Sequence, residues 1–174
     1  LGDNHWMGWL TVAVYLVAAV ASGLAARRLA GVGGADGRER RFWIFACALM
    51  LALALNKQLD LQSLLTMIAR CHAQLSGWYD IRRLVQEGFI LGVALGGLAA
   101  LGLLAFLLRG ILGRVWLALA GLGFVCVFVV VRAASFHHVD LALGSTVGGV
   151  RLNWLLELPG PVLIALVALR RRAG

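Results

Sequence analysis

The groups with the widest chemical range in this 174-residue chain are its four histidines, His5, His72, His137 and His138, and the carboxylates near them. His137, His138 and Asp140, joined by His72 or His5, offer the nitrogen and oxygen donors that suit zinc or copper. Two histidines from different helices can also clamp a haem. Neighbouring histidines on a regular helix diverge by about 100°, so His137 and His138 can share one ion only where a helix has ended. A second set is ionic and amide-bearing: Asn56, Lys57, Asp60, Arg82, Arg83, Glu87, Arg132, Asp140 and Glu157. Helical spacing places Asn56, Asp60 and Ser63 on one face, and Asn153 and Glu157 on another. Hydrolysis of a lipid ester or amide would need a nucleophile such as Ser63 or Ser135, or a metal-bound water. Neither G-x-S-x-G nor H-E-x-x-H is present to single one out.

The elements that must position these groups are membrane helices. The chain is 61% hydrophobic with a mean hydropathy of +0.90, and a soluble domain of this size has too little interior to hide that much apolar surface. Long apolar runs separated by short charged segments predict an all-α, polytopic helical bundle in a single domain. Five transmembrane helices are expected, at about 7–26, 42–60, 85–108, 115–134 and 152–169, with an amphipathic extension over 60–74. The stretch Leu51 to Arg70 organises the reading. It begins as a span and turns polar at Asn56, Lys57, Gln58 and Asp60, while Leu59, Leu61, Leu64, Leu65 and Ile68 continue an apolar stripe. One long helix is therefore expected there, carrying its polar residues toward the bundle.

Charge gives the orientation. Arg27, Arg28, Arg38, Arg40, Arg41, Arg109, Arg114, Arg170, Arg171 and Arg172 alternate to one side, accompanied only by Asp36 and Glu39, so that side carries the whole formal net charge of +8. On the other side Lys57, Arg70, Arg82, Arg83, Arg132 and Arg151 are matched by Asp3, Asp60, Asp80, Glu87, Asp140 and Glu157. Excess arginine marks the cytoplasmic face, which puts the N-terminus outside and the C-terminus inside. The basic balance is then topology, and no nucleic-acid partner is expected. The first span has arginines behind it and none ahead, the reverse of a secretory signal peptide. Leu1 in place of Met suggests that the numbering starts after the translation start.

Finer features follow from the same frame. Arg27 to Arg41, with GVGGADGRER, reads as a flexible loop; it follows no strand and lacks Lys-Ser/Thr, so it is no phosphate loop. Trp43 and Trp116 at one end, and Trp6, Trp9, Trp78 and Trp154 at the other, read as interfacial belts. Gly88, Gly92 and Gly96 form a doubled small-xxx-small spacing that admits a close helix neighbour, expected within the chain. Pro159 and Pro161 are expected to kink the fifth helix. Cys47 and Cys126 lie in spans and Cys71 stands apart, so no disulfide is expected.

The segments NKQLDLQ (Asn56 to Gln62) and GWYDIRRLVQ (Gly77 to Gln86), together with Glu157, resemble a group of small, uncharacterised bacterial multi-pass membrane proteins sharing an NKQLDLQ / GWYxxRRxxQ pattern. The resemblance covers the second to fifth spans and implies a recurring polar pattern without an activity. Two functional expectations result. An even count of opposite charges suits mutual satisfaction, which favours a non-catalytic accessory or assembly subunit of a larger membrane complex, in contact with lipids and other membrane subunits. The alternative is a metal- or haem-binding membrane protein, possibly a lipid-modifying hydrolase or redox protein, using the histidines His72, His137 and His138 with Asp140 and the carboxylates of the same side.

Overall fold

The structure is a computed structural model, described here for residues 6–31, 33–59, 67, 68, 71, 82–134, 146, 147, 150, 151 and 156–173. Among the described residues, five helices carry the fold: α1 (Trp6–Arg28), α2 (Gly34–Leu59), α3 (Arg82–Leu107), α4 (Leu112–Ala134) and α5 (Pro159–Ala173). Two short strands, β1 (Thr146–Val147) and β2 (Val150–Arg151), pair antiparallel between α4 and α5. Four helical segments are long and apolar enough to cross a membrane: Gly8–Arg28, Gly34–Leu59, Glu87–Leu107 and Leu112–Val131. The fifth helix has 15 residues, about 22 Å at 1.5 Å per residue, against a hydrocarbon layer of roughly 30 Å.

Small residues set how closely these helices lie. Ala18, Ala19, Ala21, Ser22, Ala25 and Ala26 are buried on α1, which packs against both α2 and α5. The alanine face of α1 leaves room for the bulky side chains of α2, and the two helices interlock around Trp43, Ala46, Met50 and Ala54. The tightest approach joins α4 and α5. A Cβ added at Gly121 would stand 2.8 Å from the Gly160 carbonyl oxygen, and one at Gly160 would stand 2.8 Å from that of Gly121. In lipid no hydrophobic force drives one apolar helix onto another, so such backbone contact is a main source of association. The remaining helix, α3, packs chiefly against α4 through Leu101 and Leu104, and most of its surface is exposed.

Several expectations are corrected. The segment before the second span is not a long loop: α2 starts at Gly34, and the turn from α1 is made by Gly31 and Gly34 at φ of 84° and 65°, the left-handed region that glycine enters without strain. Of the two residues, Arg151 or Leu152, expected to start the fifth span, Arg151 pairs with Thr146 in the strand ladder and Leu152 lies outside the described residues. The break expected at the prolines is present: Leu156 and Glu157 are helical, Leu158 is a bend, and α5 starts at Pro159, whose missing N–H costs nothing in a first turn. Trp43, near the arginine-rich end as expected, is fully buried within the bundle, with its ring edge-on to Phe42. Around Gly88, Gly92 and Gly96, an added Cβ would meet no described atom within 4 Å, so the intrachain neighbour expected for that stripe is absent among the described residues. The cysteines are free, as expected.

The contrast between the two glycine sets is measurable. Alanine in a helix interior gains up to about 1 kcal/mol over glycine, whereas overpacking a tight contact costs about 1–3 kcal/mol. At Gly121 and Gly160 the opposing atoms include a backbone carbonyl oxygen, which cannot swing away, so the cost wins. Gly121→Ala and Gly160→Ala are each expected to lower the melting temperature of the detergent-solubilised protein, while Gly92→Ala and Gly96→Ala leave it level or raise it.

Candidate functional site

Two buried carboxylates, one near each end of the bundle, gather the polar contacts of the fold. At the arginine-rich end Glu39, 1% exposed, lies on α2. Arg171, on the last turn of α5, donates to it through both arms: Nε to Oε1 and Nη2 to Oε2, each at 2.8 Å. This forked geometry is the strongest arrangement open to an arginine and a carboxylate. Trp43, one turn along α2, donates its indole N–H to Oε1 at 3.3 Å. Arg114 near the start of α4 approaches Oε2 at 3.6 Å and donates to Asp36 at 2.7 Å. Asp36 and Arg171 also suit the helix ends they occupy, an acid in a first turn and a base in a last one. The bonds to Glu39 push the already high pKa of Arg171 further up. The cluster is formally neutral and joins α2, α4 and α5.

At the opposite end Glu157, 4% exposed, lies two residues before Pro159. Lys57, in the last turn of α2, donates to its Oε2 at 3.0 Å. Tyr15 on α1, itself buried, donates its hydroxyl to Oε1 at 3.4 Å. Here the joined elements are α1, α2 and the approach to α5. The carboxylate lies beside the N-terminus of α5, where the helix dipole favours negative charge.

The polar set expected from the sequence is thus met in part. Lys57 and Glu157 come together, and Asn56 is half-buried one residue before Lys57. Glu87 lies exposed in the second turn of α3. Arg82 and Arg83 open α3 and Arg132 lies in the last turn of α4, with their side chains outside the described set. Asp60, Asp140, His5, His72, His137 and His138 also lie outside the described residues, as do Ser63, Ser135 and most of the 60–74 extension. The metal- and haem-ligand expectation therefore rests where the sequence left it.

Tyr15, Glu39, Asp36, Arg114 and Arg171 are the participants that the sequence reading did not single out. A lone tyrosine in an otherwise apolar span needs a partner for its hydroxyl, and that was the available signal for Tyr15. Glu39 carried a weaker one, its position four residues before Trp43 in the only acidic stretch of a basic segment.

No known protein family, curated protein or solved structure matches this chain.

Both clusters act on helix order, and their asymmetry can be tested. Lys57→Met leaves Glu157 buried without its cation, and removing one partner of a buried pair typically costs about 3–5 kcal/mol. Replacing both members by neutral groups of similar shape often costs far less. Lys57→Met is therefore expected to lower thermal stability sharply in detergent, and the double variant Lys57→Met/Glu157→Gln to recover most of the loss. A double variant no better than the single one would mean that the pair does not set the stability of this end.

Proposed function

We propose that this protein is a non-catalytic accessory or assembly subunit of a larger membrane complex, held in a bacterial cytoplasmic membrane with its arginine-rich end facing the cytoplasm. The observation that carries this reading is the contrast between α3 and the rest of the bundle. Helices α1, α2, α4 and α5 bury alanine, glycine and aromatic side chains against one another. None of the membrane-length segment Glu87–Leu107 is buried, although it carries Gly88, Gly92 and Gly96 in a row. A stripe of glycines lowers the helix propensity of α3 by about 1 kcal/mol per residue relative to alanine, with no return inside the described chain. A close-packing helix from another subunit would supply that return. The arginine excess supports the orientation, and the short α5 (Pro159–Ala173), with the residues before it, completes a fifth crossing.

The two buried carboxylates fit the same reading. Each is engaged by donors from other helices, which serves rigidity and helix order.

Gly92→Leu/Gly96→Leu separates a contact face from an internal one. The variant is expected to fold with unchanged thermal stability, because a Cβ added at either position meets no described atom within 4 Å. It is also expected to lose a fixed-stoichiometry partner that the unmodified protein retains when extracted from native membranes under mild detergent. Retention of the same partner at the same stoichiometry by the variant would remove α3 as the contact face.

A further inference from the structure

A groove on the lipid-facing side between α1 and α5 has a composition and a position that α3 lacks. Its lining is wholly apolar: Leu16, Val17, Val20, Ala21 and Leu24 from α1, and Leu169 from α5, around a volume of about 290 Å³. Along α1 it runs from Leu16 to Leu24, about 12 Å of helix. At its arginine-rich end the same α1 face continues into Arg27 and Arg28, three and four residues past Leu24, and both are exposed. Arg170, also exposed, follows Leu169 on α5. Helix side chains lean toward the N-terminus of their own helix, so Arg27 and Arg28 lean back along α1 toward the groove.

Among the described residues, the charge ledger of this end leaves these arginines without a protein counter-charge. Asp36 and Glu39 are the end's acidic residues, and Arg114 and Arg171 take them up. The other eight arginines, including Arg27, Arg28 and Arg170, make up the formal net charge of +8. An apolar channel that ends at surplus arginines matches a molecule with a hydrocarbon chain and a phosphate at one end. We infer that the α1–α5 groove is a binding site for an anionic phospholipid, with an acyl chain along Val17, Val20 and Leu24 and the headgroup phosphate held by Arg27, Arg28 and Arg170. A zwitterionic lipid offers the same chain but carries its own cation, so the site discriminates by net headgroup charge.

Native mass spectrometry of delipidated protein, titrated with phosphatidylglycerol or phosphatidylcholine of equal chain length, reads this directly. Phosphatidylglycerol is expected to be retained in preference. Each arginine near a membrane surface contributes about fivefold in affinity for anionic lipid, so Arg27→Gln/Arg28→Gln should weaken retention on the order of 25-fold. Arg40→Gln/Arg41→Gln removes the same charge from exposed positions on α2 outside the groove lining and should leave retention within a fewfold. Val20→Trp, at an exposed position, fills the groove and should also displace the lipid. Equal retention of the two lipids, or equal losses in the two arginine variants, would overturn the site. Undiminished binding to Val20→Trp would overturn the groove as the seat of the chain. Competition by glycerol phosphate as effective as that of intact phosphatidylglycerol would do the same.

Discussion

The constraint on which the fold depends is a reciprocal pairing of charges between α2 and the segment from Glu157 to the end of α5. The first contributes an acid at one end, Glu39, and a base at the other, Lys57; the second contributes Arg171 and Glu157 in the opposite order. Only the antiparallel arrangement in this register matches both ends. Reversing α5 would set Glu39 against Glu157 and Lys57 against Arg171, two like-charge contacts near nearly buried carboxylates. Exclusion of an alternative by repulsion is as much a part of specificity as the attraction in the chosen state. The two helices share little other contact, since α5 lies mainly between α1 and α4. The ion pairs therefore specify direction, while the glycine and alanine surfaces specify distance.

Depth decides why such pairs are tolerable. Glu39 and Lys57 are eighteen positions apart on one helix, about 27 Å, which is close to the thickness of the hydrocarbon layer. The clusters thus sit at its two edges, where the cost of a charge falls and long arginine and lysine side chains can reach toward water. Between them the bundle is filled by Met50, Leu122, Ile164 and the alanines of α1. That filling leaves α3 as the odd element. It is the most apolar of the candidate spans together with α4, yet it is anchored mainly by the turn that follows it, where Leu108 and Ile111 are buried and Arg109 stacks over Phe106.

How much of this was legible in the sequence depended on the kind of signal. Apolar length read out well: the four membrane-length helices lie where the hydropathy put them, because that property is local and additive along a run. The ends read poorly, because glycine is ambiguous. GVGG looks like slack chain, but its first and last residues, Gly31 and Gly34, make a tight turn that lets α2 start eight residues before the apolar run at Phe42. Extending the helix back through Asp36 and Glu39 brings both acids against Arg114 and Arg171, residues more than seventy positions away. No local rule gives that pairing. The Lys57–Glu157 pair was within reach because the sequence flagged both residues as charges at membrane depth, and few partners were on offer.

The glycine positions teach the complementary lesson. Gly88, Gly92 and Gly96 have the regular spacing that invites a packing assignment, whereas Gly121 and Gly160 belong to no such repeat, yet the second pair makes the backbone contact. Spacing says only that one helix could admit a neighbour; contact needs a gap on both helices at the same height. Gly121 meets that condition because the two prolines fix where α5 begins, and Gly160 falls between them at its first turn. The position of the α4–α5 contact is thus set by the backbone rigidity of Pro159 and Pro161 as much as by glycine. The same start point leaves Glu157 in the helical residues before the bend at Leu158, offset from α5, where it meets Tyr15 and Lys57. One local feature, a proline-defined helix start, therefore fixes both the closest packing and one of the two charge clusters.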